Sequence, residues 1–441
     1  MDRRKFLSLM AASGVGFMTL SPRIWADDDE DGGATATLFP VPGNTGISGH
    51  IVIVGGGMAG ATLAKYLRLW GGTGVRVTLL EKAAGYTSNI MSNLVLSGQK
   101  GLAELGYSHG TLVNHYGVTL MRGEVTAIDT AGKFLRLADG STLQYDRLVL
   151  APGLDFDLLP GMVSQGEYDN AIPHAWKAGP QTQLLRDQLL AMPAGGSVVI
   201  TIPKAPYRCP PGPYERACVV ADWLKSNKPG SKVVVLDANA DIVVEKDNFL
   251  HAFNQTHAGI IDYRPGCTLT HVDSVSRSVT YTQNGASVQV GASVLNPIPP
   301  QRAPQLLADA GLLNSPDGRF AAVNVLSYES TQVAGIHVIG DASHTTQPKA
   351  GHIANQQAKV CADAMLRLLG GQQPDPAPVT NSACYSPITA ATATWLSGVY
   401  QYDAASASMK LSKLSASASA TSKNYRDMHT WFGTLMSDSF S

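Results

Sequence analysis

The amino-acid sequence predicts an α/β fold built on two β-α-β units of nucleotide-binding type, followed by a smaller C-terminal domain. Three observations predict it. From His50 onward, apolar runs of strand length alternate with amphipathic stretches of helical period, the pattern of a parallel or mixed sheet covered by helices. The alternation starts a second time at Ser197. After Asn381 it gives way to a Ser/Ala-rich stretch, Ala404–Ser422, and an aromatic tail containing Trp431 and Phe432. A chain of 441 residues, 44% hydrophobic and 15% charged, has ample material for such cores.

Taken in order, Met1–Ala26 reads as an export signal. Arg3-Arg4-Lys5-Phe6-Leu7 opens a weakly apolar run to Leu20, and Ile24-Trp25-Ala26 offers a cleavage site. The paired arginine before Phe-Leu resembles a twin-arginine signal, which carries folded proteins and predicts a periplasmic mature chain. An ordinary secretory signal or a membrane anchor is the alternative, although the run is short and broken by Ser8, Ser13, Gly14 and Gly16. Cleavage removes Arg3, Arg4, Lys5 and Arg23 against Asp2 alone, so a chain of formal charge −1 becomes more acidic, which does not suit a nucleic-acid partner. Residues 27–48, with the acidic cluster Asp27–Asp31, show no apolar period and predict a flexible leader.

Ile51–Val54 predicts a buried strand, Gly60–Trp70 a helix and Val75–Glu81 a second strand. Val118–Asp129 and Gln144–Ala151 supply further sheet segments. The second unit comprises strand Ser197–Ile202, helix Tyr214–Ser226 and strand Lys232–Asp237. After Asn296 the chain returns to the first domain through the strand Gly335–Asp341. The predicted domains are therefore 49–160 with 297–380, 161–296, and 381–441. No amphipathic helix with a clear apolar face is read after Asn381, which disfavours a membrane quinone reductase.

Gly55-Gly56-Gly57-Met58-Ala59-Gly60 places Gly-x-Gly-x-x-Gly between a strand and a helix. Gly55 permits the turn, Gly57 lets backbone approach a pyrophosphate, and Gly60 allows the helix to pack on the strand. Glu81 closes the second strand about 20 residues later, where a carboxylate can accept hydrogen bonds from a ribose. This fingerprint cannot choose between NAD and FAD. Ile336-His337-Val338-Ile339-Gly340-Asp341-Ala342 resembles the second FAD motif of two-dinucleotide-domain flavoproteins, and Leu150-Ala151-Pro152-Gly153 resembles their Ala-Thr-Gly signature, so FAD is favoured. Lys349, just before a helix beginning near Gly351, would stand beside the flavin pyrimidine ring, or be a solvated loop lysine.

The second unit lacks the fingerprint. Pro203, Pro206, Pro210, Pro211 and Pro213 stiffen its loop and remove amides that a pyrophosphate needs, so no NAD(P)H site is expected. Cys209, beside Arg208 and close to a helix start, lies where a thiolate can be stabilised, or is a structural cysteine. Glu215 in the first turn could move protons, or simply favour the helix terminus. There are five cysteines, an odd number, with no Cys-x-x-Cys-His haem site and no zinc spacing; no metal site is predicted.

Tyr207-Arg208-Cys209-Pro210-Pro211-Gly212-Pro213-Tyr214-Glu215-Arg216-Ala217 closely resembles the active-site loop of the flavoprotein subunit of flavocytochrome c sulfide dehydrogenase. Pro173–Gly179, Ile298–Ala303, Ile339–Ala342 and Cys384-Tyr385-Ser386 resemble it too, from about Ile51 to the C-terminus, the Ser/Ala-rich stretch least. The resemblance implies a glutathione reductase-like fold with two Rossmann-like dinucleotide-binding domains and a smaller C-terminal domain. It implies that Cys209 and Cys384 form a redox disulfide beside FAD and that Glu215 is the acid/base residue. Hydrosulfide would open the disulfide, leaving a persulfide on one cysteine and a thiolate on the other. After reduction of the flavin, electrons would pass singly to a c-type haem on a partner subunit, with sulfur leaving as zero-valent sulfur or polysulfide. Trp431 matches a tryptophan near the family's C-terminus that would sit between flavin and partner, or it is a packed core residue.

One position departs from the family. Its type member attaches FAD through a cysteine in Tyr-Thr-Cys-x-x-x-Ser-Asn, whereas Tyr86-Thr87-Ser88-Asn89-Ile90-Met91-Ser92-Asn93 carries Ser88 there, so non-covalent FAD is expected. Ser88 and Asn93 join Val125, Gly340, Asp341 and Lys349 among the candidate cofactor-binding residues. Cys218, Cys267 and Cys361 are read as structural. Two competing expectations stand: another sulfur or thiol donor for the same chemistry, or a non-catalytic partner of a sulfur-oxidising system.

Overall fold

The computed structural model describes residues 38–441, so the export signal and most of the expected leader lie outside the described residues. Part of residues 38–48 touches the first unit. The Thr45 hydroxyl donates to the Gly71 carbonyl at 2.7 Å, Asn44 bridges Gly72, and Val41 and Ile47 pack on the core beneath. A few apolar side chains and one backbone bridge suffice to dock this segment.

The first unit is β1 (Gly49–Val54), α1 (Met58–Gly71) and β2 (Val75–Glu81). The two strands pair in parallel from Gly49 with Val75 to Val54 with Leu80. Residues 50–54 are buried on both faces, which is why the run is continuously apolar instead of alternating. β3 (Thr119–Arg122) extends the sheet beyond β2, and β4 (Arg147–Leu150) lies on the other side of β1. The expected segment Val118–Asp129 is two strands. It breaks after Arg122, and Val125–Asp129 joins a separate three-stranded antiparallel sheet.

The second unit contains β5 (Ser197–Ile202), α2 (Gly212–Asn227), β6 (Lys232–Asp237), β7 (Ile261–Arg264) and β8 (Val294–Pro297), in the parallel order β7-β6-β5-β8. β9 (Ile336–Val338) then pairs in parallel with β4, returning the chain to the first sheet. α3 (Gly351–Leu369) packs on α1 through a shared core containing Leu63, Leu67, Ala358, Ala362 and Met365.

The C-terminal region is a three-stranded antiparallel sheet, β10 (Val379–Pro387), β11 (Ala393–Asp403) and β12 (Ser408–Ala416), closed by α4 (Ser422–Phe440). Most of the Ser/Ala-rich stretch is therefore strand and helix start. The expectation that no amphipathic helix follows Asn381 is wrong. In α4, Met428, Phe432, Leu435, Met436 and Phe440 recur at helical spacing and are buried against the first unit. At roughly 1.5–3 kcal/mol for each large apolar side chain, that face is committed to the protein's own core. Among the described residues no helix is long and apolar enough to cross a membrane.

Candidate active site

A cavity of about 800 Å³ opens at the C-terminal ends of β1 and β2, the place where open α/β sheets bind ligands. Its wall is completed by the β9 exit, the start of α3, the loop before α2, and β10.

The dinucleotide end follows from the glycine loop. Gly55 has a positive φ of 101°, and a Cβ there would stand 2.3 Å from the Ala151 carbonyl oxygen. A Cβ on Gly60 would lie 1.8 Å from the Gly55 oxygen, so only glycine lets α1 start this close to β1. Gly57 lines the cavity, as do Val125, Gly340 and Asp341. Glu81 also lines it, while accepting hydrogen bonds from the Gly56 amide at 2.7 Å and the Ala83 amide at 2.8 Å. Each carboxylate oxygen keeps a second lone pair for a ribose hydroxyl. His109, not singled out from the sequence, bonds the Gly56 carbonyl at 2.7 Å through Nε2 and braces the same turn.

At the other end, residues far apart in sequence meet. Cys209, Glu215, Cys384 and Trp431 all line the cavity, with Arg216, His352 and Tyr385. Cys209 adopts φ 57°, its amide bonds the Lys349 carbonyl at 2.7 Å, and its own carbonyl accepts from Gly212 as α2 begins. Burial, then the neighbouring Glu215 and Cys384, push its thiol well above the ordinary range. Arg208 opposes this but is engaged elsewhere, on Asp341 at 3.5 Å and on the Trp176 carbonyl. The expected thiolate-stabilising environment is therefore not found: this wall favours the neutral thiol. Cys384 is likewise pushed up, to about 12, by burial and then by Glu245 and Glu215. Both are free cysteines in this structure.

Glu215 sits in the first turn of α2, accepts a 2.8 Å hydrogen bond from Asn93 Nδ2, and is raised to about 8 mainly by burial. The Asn93 Oδ1 accepts in turn from Arg216 Nε at 2.9 Å, so Asn93 bridges the acid and a buried guanidinium. At neutral pH the Glu215 carboxyl therefore holds its proton, and it faces the cavity. His352, in the first turn of α3, accepts the Ala383 amide on Nδ1 at 3.0 Å and is lowered to about 4, first by burial. Sequence reading missed it, although it follows Gly351 at the helix start already singled out.

Two expected cofactor contacts fall elsewhere. Lys349 neither reaches the cavity nor is solvated. Its ammonium donates to the carbonyls of Asp341 at 2.7 Å and Ser343 at 2.9 Å over the Phe320 ring, and burial lowers it to about 8. It braces the Gly340-Asp341 turn from behind. Ser88 is fully buried outside the cavity lining, its hydroxyl donating to the Ile90 carbonyl and lying against Met436 of α4, while Thr87 and Asn89 form the wall.

In the second unit Asp237 ends β6 as Glu81 ends β2, but it is sealed. Tyr214 and Tyr263 donate to its Oδ2 at 2.7 and 2.9 Å, and the Asn239 amide to Oδ1 at 2.8 Å. Among the described residues no group of three His, Cys, Asp or Glu stands together as a metal site.

The residues present fit FAD: a glycine turn without Cβ atoms, a facing carboxylate, and the Trp431 Nε1, buried in the cavity wall without a hydrogen-bond partner. Comparison with known proteins agrees. Residues 182–299 match the central model of the sulfide dehydrogenase (flavocytochrome c) flavoprotein chain, residues 376–440 its flavin-binding model, and residues 49–196 the pyridine nucleotide-disulphide oxidoreductase model. The chain is 34% identical over 155 residues to the ferredoxin–NAD(+) reductase subunit of the benzene 1,2-dioxygenase system of Pseudomonas putida, covering 32% of this chain and 36% of that one. It is 35% identical over 106 residues to a probable ferredoxin reductase of Castellaniella defragrans, covering 24% and 26%. The matches thus span about a third or less of those relatives. The sulfide:quinone oxidoreductase of Aquifex aeolicus shares the fold at a TM-score of 0.71 and 17% identity, over 87% of this chain and 90% of that one.

Proposed function

The chain belongs to the family of flavoprotein chains of flavocytochrome c sulfide dehydrogenase, and from that premise we propose that it oxidises hydrosulfide through a Cys209–Cys384 disulfide and passes the electrons to a c-type cytochrome subunit. It is a flavin oxidoreductase that binds FAD. The observation that carries the finer reading is the meeting of Cys209, Cys384 and the raised carboxyl of Glu215 at one end of the cavity whose other end is the glycine turn.

When bound, FAD supplies a two-electron acceptor that can release electrons one at a time. The chain's own residues do the rest. Gly55 and Gly60 let the turn and α1 pack tightly, Gly57 would let a pyrophosphate approach the backbone, and Glu81 and Asp341 would face its sugars. The cysteines accept the incoming sulfur by thiol–disulfide exchange, and Glu215 takes or returns the proton. Trp431, with ring centroids 5.5 Å from Tyr385 and 6.2 Å from His352 in the cavity wall, is the proposed route for electrons leaving the flavin. The proline loop and the sealed Asp237 support a second unit that takes no NAD(P)H. Ser88, an alcohol already bonded to Ile90, supports non-covalent retention. The twin-arginine reading of Met1–Ala26 supports a periplasmic location.

Anaerobic addition of sulfide tests the proposal. The flavin absorbance of the wild type bleaches near neutral pH, and Cys384→Ser abolishes the bleaching; undiminished reduction in the variant rules out the disulfide route.

A further inference from the structure

Beyond Glu215, a second half-buried carboxyl stands near the cysteines and has no part in the reading above. Glu245 lies outside the cavity lining, ahead of the short helix Lys246–His251, in a left-handed conformation of φ 52° that non-glycine residues rarely adopt. Its Oε2 accepts the Ser386 hydroxyl at 3.0 Å, and Thr394 and Asn248 stand beside the same carboxyl. Ser386 is two residues from Cys384 on β10, so both side chains stand on the same face of that strand. The carboxyl is thus tied by Ser386 to the strand that carries Cys384, and burial disfavours its charge there.

We propose that Glu245 is a positioning residue of the cysteine pair: its charge state decides whether the Cys384 sulfur can accept the electron pair when the disulfide opens. The inference rests on the disulfide reading. Hydrosulfide attacks the Cys209 sulfur, a new S–S bond forms there, the Cys209–Cys384 bond breaks, and the electron pair stays on Cys384. The sulfide sulfur is oxidised and the disulfide reduced, with the original proton kept on the new persulfide. A neutral Glu245 permits that charge on Cys384, and a carboxylate opposes it.

The surrounding groups agree. Burial raises Glu245, and after burial it is the first influence raising Cys384, yet it is not among those acting on Cys209. Cys384 also faces Glu215, Cys209, Ser382 and Tyr400; Glu245 faces Glu215 and Cys218 of α2, besides Ser386, Thr394 and Asn248. Glu215 acts on both cysteines, so the two carboxyls are separable by experiment.

The test is timed alkylation of reduced holoprotein with iodoacetamide between pH 7 and 9.5, with Cys209 and Cys384 quantified separately by peptide mass spectrometry. In Glu245→Gln, Cys384 is expected to react about tenfold faster at pH 9, the change in thiolate fraction for a pKa one unit lower. Cys209 should stay within about twofold, and Glu245→Asp should restore the wild-type rate. If the glutamine variant does not hold FAD, Ser386→Ala, which leaves the carboxyl with one donor fewer, is expected to move Cys384 in the same direction. An unchanged Cys384 rate, or an equal rise at both cysteines, overturns the proposal. Lack of a Cys209–Cys384 linked peptide in the untreated wild type instead overturns the disulfide reading beneath it, whatever the alkylation rates.

Discussion

Replacing Glu215 with glutamine gives the sharpest prediction. The carboxyl moves from its ordinary 4.5 to about 8 on folding, mainly because burial penalises the charge, with the Asn93 hydrogen bond and Arg216 opposing. At about 1.4 kcal/mol per pH unit, the gap between the two protonation states is roughly 5 kcal/mol. Because the folded value is the higher one, its contribution to stability is fully present below pH 4.5 and is lost as pH rises toward 8. By pH 7 the loss is already on the order of 3 kcal/mol. Glutamine keeps an oxygen for Asn93 but carries no titration. The stability of Glu215→Gln relative to wild type should therefore climb from pH 5 to pH 8 and then level. Denaturant unfolding of both holoproteins across that range measures it. A difference that stays flat with pH, or falls as pH rises, refutes the burial argument. The same group should place an inflection near pH 8 in the rate of flavin bleaching by sulfide, absent from the variant.

The other predictions are simpler. Acid precipitation should release all yellow flavin to the supernatant, because Ser88 is an alcohol bonded to the Ile90 carbonyl; colour in the pellet would show a covalent link. NADH should not reduce the flavin under anaerobic conditions, since Tyr214 and Tyr263 occupy the Asp237 carboxylate; rapid reduction would mean that the second unit binds a nucleotide after all. Gly60→Ala should cost roughly 3 kcal/mol or more and lower the flavin-to-protein ratio, because its Cβ would stand 1.8 Å from the Gly55 oxygen; an unfolding midpoint and flavin content equal to wild type would contradict the packing.

The sequence by itself determined the first β-α-β unit, because each glycine of Gly55–Gly60 answers a local steric demand and the apolar run 51–54 can only be a strand buried on both faces. The return of Ile336–Val338 to the first sheet was legible for the same reason: a short buried strand ending in Gly-Asp. The fate of α4 was also written in its spacing, Met428 to Phe440, but the polar residues between hid the stripe from a reading by composition. Only the tertiary structure decided where side chains point and what they cost to charge. Lys349 turns back onto two carbonyls, Ser88 turns into the core, and Arg208 turns to Asp341 and Trp176, none of which a neighbour in sequence dictates. The elevated Cys209, Cys384 and Glu215 likewise arise from desolvation at the meeting of α2 with β10, and burial is a property of the assembled fold, which local sequence does not encode.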